Sequence, residues 1–248
     1  MESGRMSRCV AFIQARVSSS RFPGKVLEPI AGTPSIAYMV RRARRSRTID
    51  EVVVVTSTDP SDDALVDTLK ASGIPFFRGD LHDVLRRFAG AAHAFDAREV
   101  IRLTGDCPLI DPDVVDAVVQ LRREHSADYS SNIDPPTYPD GLDCECFTRE
   151  ALDAADRLAS AGPDREHVTL WMRTSDASLR RVNHRCIVDG SHLRLTVDYP
   201  DDLQAVRSLV DEMGSDDRFG VFDLLAALDR RRDILTLNPH ARNEALAR

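Results

Sequence analysis

Residues 51–73 read EVVVVTSTDPSDDALVDTLKASG. The run 51–57 is a strand rich in β-branched residues. Residues 62–72 have the character of a helix, and Gly73 supplies a helix-terminating signal. Working outward, 9–15 (CVAFIQA) reads as a buried strand and 35–45 as a helix. On the other side, 75–77 reads as a short strand, 82–93 as a helix, 99–104 (EVIRLT) as a strand and 111–125 as a helix. This repeated strand–helix order predicts an α/β fold with a mostly parallel sheet covered on both faces.

Beyond Asp128 the pattern changes. Residues 132–141 (NIDPPTYPDG) hold three prolines, which exclude a regular helix or a central strand. A short extended piece at 142–147 is expected next, then a helix at 149–159 and a helical segment at 164–171. Residues 180–188 and 193–197 read as strands around the turn Asp189-Gly190-Ser191. Helices at 201–213 and 223–231 close the chain. The expectation is one domain over 1–248, with 1–7 and 238–248 as peripheral tails and about 130–190 as an inserted lobe over the sheet.

Hydrophobic residues make up 42% of the 248, enough for a sizeable core. No apolar run approaches the length that crosses a bilayer. The opening MESGRMSR leads into a strand-like run and not a signal-peptide core, so a cytoplasmic protein without a membrane partner is expected. The net charge of −7 counts against a broad nucleic-acid-binding face but leaves room for a local positive pocket. Of the five cysteines only Cys144 and Cys146 are close, and a lone C-x-C lacks the second pair of a zinc site; buried reduced thiols are expected.

Three places gather chemistry. The segment QARVSSSRFPGK, Gln14–Lys25, follows the first strand, where open α/β sheets bind ligands. It carries Arg16, Arg21 and Lys25 among Ser18, Ser19, Ser20 and Gly24. Cations neutralise a polyphosphate and small residues let backbone N–H groups approach it; the same stretch also suits a solvated basic turn. It is not a Walker loop. In Thr104-Gly-Asp-Cys-Pro108, Gly105 permits close backbone approach and Pro108 stops the strand, leaving Asp106 at the rim. Thr196-Val-Asp-Tyr-Pro200 repeats that logic with Asp198. Each aspartate alone could be a helix cap or turn former; two at neighbouring strand ends could grip one Mg²⁺.

Together, QARVSSSRFPGKVL, LTGDCPLIDP and LRLTVDYPDDL resemble the SpsF-like members of the cytidylyltransferase family, which is related to the CMP-Kdo and CMP-acylneuraminate synthetases. YPDGLDCECF and DREHVT resemble signatures of the same group, so the likeness spans about residues 8–210. The resemblance implies a Rossmann-like, three-layer fold of the nucleotide-diphospho-sugar-transferase type, Mg²⁺ dependence and release of pyrophosphate. By it, Arg16 and Lys25 match the triphosphate-loop cations, and Asp106 and Asp198 the metal-binding aspartates. Gln14, Ala15, Arg21, the serines, Gly24 and Gly105 lie in matched nucleotide-binding segments. Thr104 stands where the CMP-Kdo synthetases carry glutamine, near the base. Arg78 falls where the family often places a base-side arginine, and equally suits a surface position after a strand.

The middle region would then supply the acceptor pocket, with Tyr138, Asp143, Glu145, Arg165, Glu166 and His167 as candidates. Asp143 and Glu145 share one face of a strand, where they could orient hydroxyls or meet solvent. The expected reaction is in-line attack of a small anionic acceptor on the α-phosphorus of CTP or another nucleoside triphosphate. Sugar acids, sugar phosphates and phosphonates all fit that description, in polysaccharide or related biosynthesis. A homodimer is expected from the relatives, with the segment near Trp171 and Arg180 as a pairing edge. Two rivals are a glycosyltransferase of GT-A type and a non-catalytic nucleotide-binding subunit. The first normally carries D-x-D, which is absent from Gly105-Asp106-Cys107-Pro108; the second finds no support while the loop cations and both aspartates are present.

Overall fold

The computed structural model describes residues 8–160, 162–175, 178–214 and 217–237. Both expected tails, 1–7 and 238–248, lie outside the described residues. Strand β1 (Cys9–Gln14) is followed by β2 (Pro29–Ile30) and β3 (Thr33–Pro34), which pair as a small antiparallel hairpin. Next come α1 (Ser35–Ala43), β4 (Glu51–Ser57), α2 (Asp63–Ala71), β5 (Phe76–Gly79), α3 (Val84–Ala94), β6 (Glu99–Thr104) and α4 (Pro112–Glu124). The second half holds β7 (Tyr129–Ser131), β8 (Glu145–Thr148), α5 (Arg149–Leu158), α6 (Pro163–Glu166), α7 (Leu170–Thr174), β9 (Arg181–Asn183), α8 (Pro200–Met213), α9 (Val221–Arg230) and α10 (Arg232–Leu237).

Seven strands form one sheet in the order β5-β4-β1-β6-β8-β7-β9. Strand β1 pairs in parallel with both β4 and β6, and only β8 is reversed, running antiparallel to β6 and β7. The expected mostly parallel α/β sheet is therefore what forms. The chain runs outward from β1 to β4 and β5, then returns to place β6 on the other side of β1. That reversal opens a crevice at the carboxyl ends of β1 and β6, the usual ligand position in such sheets.

Period-two alternation explains why β1 is apolar throughout. Cys9, Ala11 and Ile13 pack with Met39, Leu65 and Val115 on one face. Val10 and Phe12 pack with Phe88 and Leu152 on the other. The Phe12 and Phe88 rings meet edge to face at 6.0 Å, worth about 0.5–1.5 kcal/mol beyond the area they bury. A third cluster joins α8 and α9 to Ile30, Tyr38, Leu195 and Val197, and so seats the Thr196–Asp198 segment against the sheet end. All five cysteines are free, and all but Cys186 are buried, as expected for structural thiols.

Several local expectations need correction. Residues 193–197 do not form a strand of the sheet; they make a single bridge, Asp140 with Arg194. The neighbour there is the proline-rich 132–141 segment, which cannot offer a continuous ladder. Gly141 makes even that contact possible: it sits at φ 110, and a Cβ on it would lie 2.5 Å from the Leu195 carbonyl carbon. Within 180–188 only Arg181–Asn183 is a strand. The helical segment expected at 164–171 is two short helices, α6 and α7, broken at Val168, whose φ is 55. Strands β7, β8 and β9, from the region read as a lobe, all join the main sheet.

Candidate active site

The crevice is a cleft of about 240 Å³ lined by Gln14, Ala15, Arg16, Ser19, Ser20, Arg21, Lys25, Arg102, Thr104, Gly105, Asp106, Glu166, His167 and Asp198, together with Val26. Its floor is the ends of β1 and β6. Gln14 and Thr104 are register partners, and Gly105 N–H donates to Gln14 O at 2.8 Å. A Cβ on Gly105 would come within 3.0 Å of that same oxygen and of Ala15 Cβ, so a larger residue would push the strand ends apart.

The loop from Ala15 to Gly24 forms one wall. Buried Asp62 pins its start, accepting Val17 N–H at 2.7 Å while also bonded to Ser57. Gly24, at φ 79, turns the chain into a 3-10 turn over Lys25–Leu27. That turn delivers Lys25 to the cleft bottom. Its Nζ lies 2.8 Å from Asp198 Oδ1, 2.8 Å from Val197 O and 3.4 Å from Asp106 Oδ2. Burial works against the Lys25 charge, but the two carboxylates win and hold its pKa above the usual lysine value. Burial also opposes the charge on Asp106, yet Lys25 and the Thr104 and Cys107 side chains keep its pKa below the ordinary carboxylate value.

Asp198 is braced from the other side. Its Oδ2 faces Arg194 Nη2 at 3.1 Å, and its Oδ1 also meets Arg21 Nη2 at 2.8 Å. Arg194 additionally pairs with Asp140 and Asp202, each at 3.1 Å. The carboxylate that caps the start of α8 is Asp202, which accepts the N–H groups of Asp198 and Tyr199 at 2.6 and 2.9 Å. Asp198 is thereby left to face the cleft. The 193–197 segment is tied directly to the turn after β6, since Val197 N–H donates to Asp106 O at 2.7 Å.

Asp106 and Asp198 thus converge on one ammonium group at the bottom of a cationic cleft. Among the described residues no group of three or more histidine, cysteine or acidic side chains is placed to hold a metal. The donor set is a pair of hard carboxylate oxygens, the ligand type that a hard divalent cation takes.

The other candidates are spread around this centre. Ser18, Gly24 and Arg78 lie outside the cleft lining. Arg78 donates to Ser57 O and Asp59 O at 2.7 and 3.0 Å and pairs with Asp63 at 2.8 Å. Tyr138 is buried away from the cleft, stacked on His184 with its hydroxyl 3.0 Å from Nδ1. Asp143 is half-buried near Cys107. Glu145 is buried behind Arg102, which donates to it. Arg165 holds Asp83 and Asp156 at 2.7 and 2.6 Å. It lines a neighbouring cavity of about 420 Å³ that meets the cleft at Arg16 and Glu166.

Reading the sequence missed Arg102, Arg194 and Asp202. The first two carried a signal, a charged residue inside an otherwise apolar run (EVIRLT and LRLTV). Asp202 carried none beyond its place in the first turn of a helix.

A family model described as Cytidylyltransferase matches residues 10–214. The spore coat polysaccharide biosynthesis protein SpsF of Bacillus subtilis (strain 168) is 30% identical over 239 residues, 93% of this chain and 98% of its own. The solved structure of a cytidylyltransferase from Leptospira borgpetersenii serovar Hardjo-bovis (strain JB197) superposes with a TM-score of 0.88 at 28% identity, covering 94% of this chain and 99% of that one. A structure of CMP:2-keto-3-deoxy-manno-octonic acid synthetase complexed with CTP shares the fold, with a TM-score of 0.66 at 22% identity over 84% of this chain and 100% of its own.

Proposed function

The chain belongs to the cytidylyltransferase family and is a nucleotidyltransferase, and from that premise we propose that it transfers CMP from CTP to a small anionic acceptor, releasing pyrophosphate. The observation that carries this reading is the placement of Lys25 between Asp106 and Asp198, beneath a loop bearing Arg16 and Arg21. A nucleoside triphosphate presents several negative charges in a row, and this cleft offers a row of cations ending at two carboxylates.

In the proposed reaction Arg16, Ser19, Ser20 and the loop N–H groups hold the β- and γ-phosphates and stabilise the departing pyrophosphate. Lys25 neutralises charge near the α-phosphate. Asp106 and Asp198 would hold Mg²⁺, which would lower the cost of charge on the α-phosphate. Gly105, with no side chain, lets the nucleotide approach the β6 end. Glu166 and His167, which also line the cleft, border the side from which the acceptor oxygen attacks. An acceptor oxygen that is already anionic needs no general base, so positioning and electrostatics suffice.

The test is a screen of the four nucleoside triphosphates with Mg²⁺ against sugar acids, sugar phosphates and phosphonates, following pyrophosphate and identifying the product by mass. Pyrophosphate formed with CTP and one acceptor class, with a CMP-bearing product, is the expected result. Consumption of a nucleotide sugar with release of a nucleoside diphosphate would replace this reading with a glycosyl transfer. Tight CTP binding without any product would leave a binding protein.

A further inference from the structure

Arg194 is buried, does not line the cleft, and has no task in the reaction above. Its guanidinium meets three carboxylates. Nε donates to Asp202 Oδ1 at 3.2 Å and Nη2 to Asp202 Oδ2 at 3.1 Å, a two-point pairing that fixes the plane of the group. Nη1 donates to Asp140 Oδ2 at 3.1 Å, and Nη2 also reaches Asp198 Oδ2 at 3.1 Å. Asp202 is itself anchored by the two N–H groups it accepts at the start of α8. Asp140 is anchored through its backbone, which donates to Leu193 O at 2.9 Å.

This arrangement gives the two oxygens of Asp198 different partners. Oδ2 is turned to Arg194, behind the cleft. Oδ1 is met at 2.8 Å by Lys25 and at 2.8 Å by Arg21, both of which line the cleft. Asp106 is divided in the same way, though more weakly: Oδ1 accepts from Cys107 Sγ at 3.5 Å, and Oδ2 faces Lys25 at 3.4 Å. Each carboxylate therefore presents one oxygen to the shared position and keeps the other tied back.

We propose that Arg194 is a positioning residue that keeps Asp198 a one-oxygen ligand, and that it thereby makes the carboxylate pair select Mg²⁺ over Ca²⁺. The proposal rests on the metal role given to Asp106 and Asp198 above and names what sets its selectivity. Ca²⁺ gathers about six to eight oxygens in flexible geometry and takes carboxylates through one oxygen or both. Mg²⁺ is smaller and holds to a near-ideal octahedron at short distances. A site that offers one oxygen per carboxylate supplies what Mg²⁺ needs and denies Ca²⁺ the second oxygen. The task calls for arginine. A lysine ammonium has no fork, and cannot pair with Asp202 at two points while reaching Asp198 and Asp140 from the same plane.

The experiment uses the full chain and reads CTP affinity by calorimetry in saturating Mg²⁺, in saturating Ca²⁺ and with both metals chelated. The unaltered chain should bind CTP more tightly with Mg²⁺ than with Ca²⁺. In Arg194→Lys the ratio of the two affinities should move toward one by about tenfold, the size of one charge-assisted hydrogen bond. The metal preference of CTP itself is common to every chain and cancels from that comparison. A merely structural loss weakens binding with both metals alike; an unmoved ratio therefore overturns the proposal. So does an unaltered chain that binds CTP equally well with either metal. Asp202→Asn, which disrupts the two-point pairing while keeping Arg194, should shift the ratio in the same direction by less. It carries the test where Arg194→Lys fails to fold, and an unmoved ratio there overturns the proposal too. CTP binding to the unaltered chain that neither metal strengthens is seen before any variant is made, and overturns the metal role of Asp106 and Asp198 itself.

Discussion

Lys25 and Asp198, 173 residues apart in the chain, form a buried ion pair at 2.8 Å that closes the bottom of the cleft. Asp106 shares the same ammonium at 3.4 Å, so one cation serves two carboxylates. Under the proposed reaction, a divalent ion held by these carboxylates would compete with Lys25 for their charge. Binding of a metal-bound nucleotide would then be an exchange of partners at this pair of carboxylates.

Removing that ammonium exposes how much the carboxylates depend on it. Lys25→Met removes the partner that the two acids share, and because Asp198 keeps Arg21 and Arg194 the cost should be about 1–3 kcal/mol of stability. Mg²⁺ should restore part of the loss by taking the same oxygens. Urea unfolding with and without Mg²⁺ measures both effects. A variant no more responsive to Mg²⁺ than the unaltered chain would count against these acids as metal ligands.

Asp106→Ala should leave a folded protein, because the tie from Val197 N–H is made to the Asp106 backbone oxygen and not to the side chain. Turnover should fall by about two to three orders of magnitude, as when a charge-stabilising group is deleted from other active sites. Circular dichroism together with pyrophosphate release separates the two effects. Near-normal turnover would remove Asp106 from the reaction.

Gly141 offers a test of how the proline-rich segment positions Asp198. At φ 110, with its Cβ position 2.5 Å from the Leu195 carbonyl carbon and 2.6 Å from Thr196 N, no L side chain fits without moving the 193–198 segment. Gly141→Ala should cost about 1–3 kcal/mol in backbone strain, with the steric clash adding to it. It should also lower activity by displacing Asp198 relative to Asp106. A urea midpoint unchanged from that of the original chain would show that the segment accommodates a methyl group without strain.

The sheet was legible because alternation of buried strand and amphipathic helix is a local pattern, repeated from 9–15 through 111–125. Asp106 and Asp198 were legible for a similar reason: each ends an apolar run and is followed within two residues by proline. What no local pattern reveals is pairing across the sheet. Arg102 meets Glu145 only because β8 runs antiparallel to β6 in one particular register. Residues 193–197 have the apolar character of a strand, but a strand also needs a regular neighbour, and 132–141 is too rich in proline to be one. Strand β7 is three residues of Tyr-Ser-Ser, too short for alternation to show.

Asp116 links the surface chemistry of the fold to pH. Its carboxylate accepts from Ser46 Oγ at 2.5 Å, Arg47 N at 3.1 Å, Thr48 N at 3.0 Å and Thr48 Oγ1 at 2.8 Å. These bonds lock the turn after α1 onto α4. Burial raises its pKa, but the donors outweigh burial and hold it below the ordinary 3.8. With the folded value below the unfolded one, the stabilisation is fully present above about pH 4 and is lost as pH falls through the folded value. Asp116→Asn should therefore cost about 1.5–3 kcal/mol at neutral pH, the range for hydrogen bonds to a charged group. The difference between the two proteins should narrow in acid, because protonation takes from the original chain what the substitution has already removed. Urea midpoints measured from neutral pH down to the acid limb test this. A gap that stays constant would mean that the ionised form of Asp116 carries no special weight in holding the turn to α4.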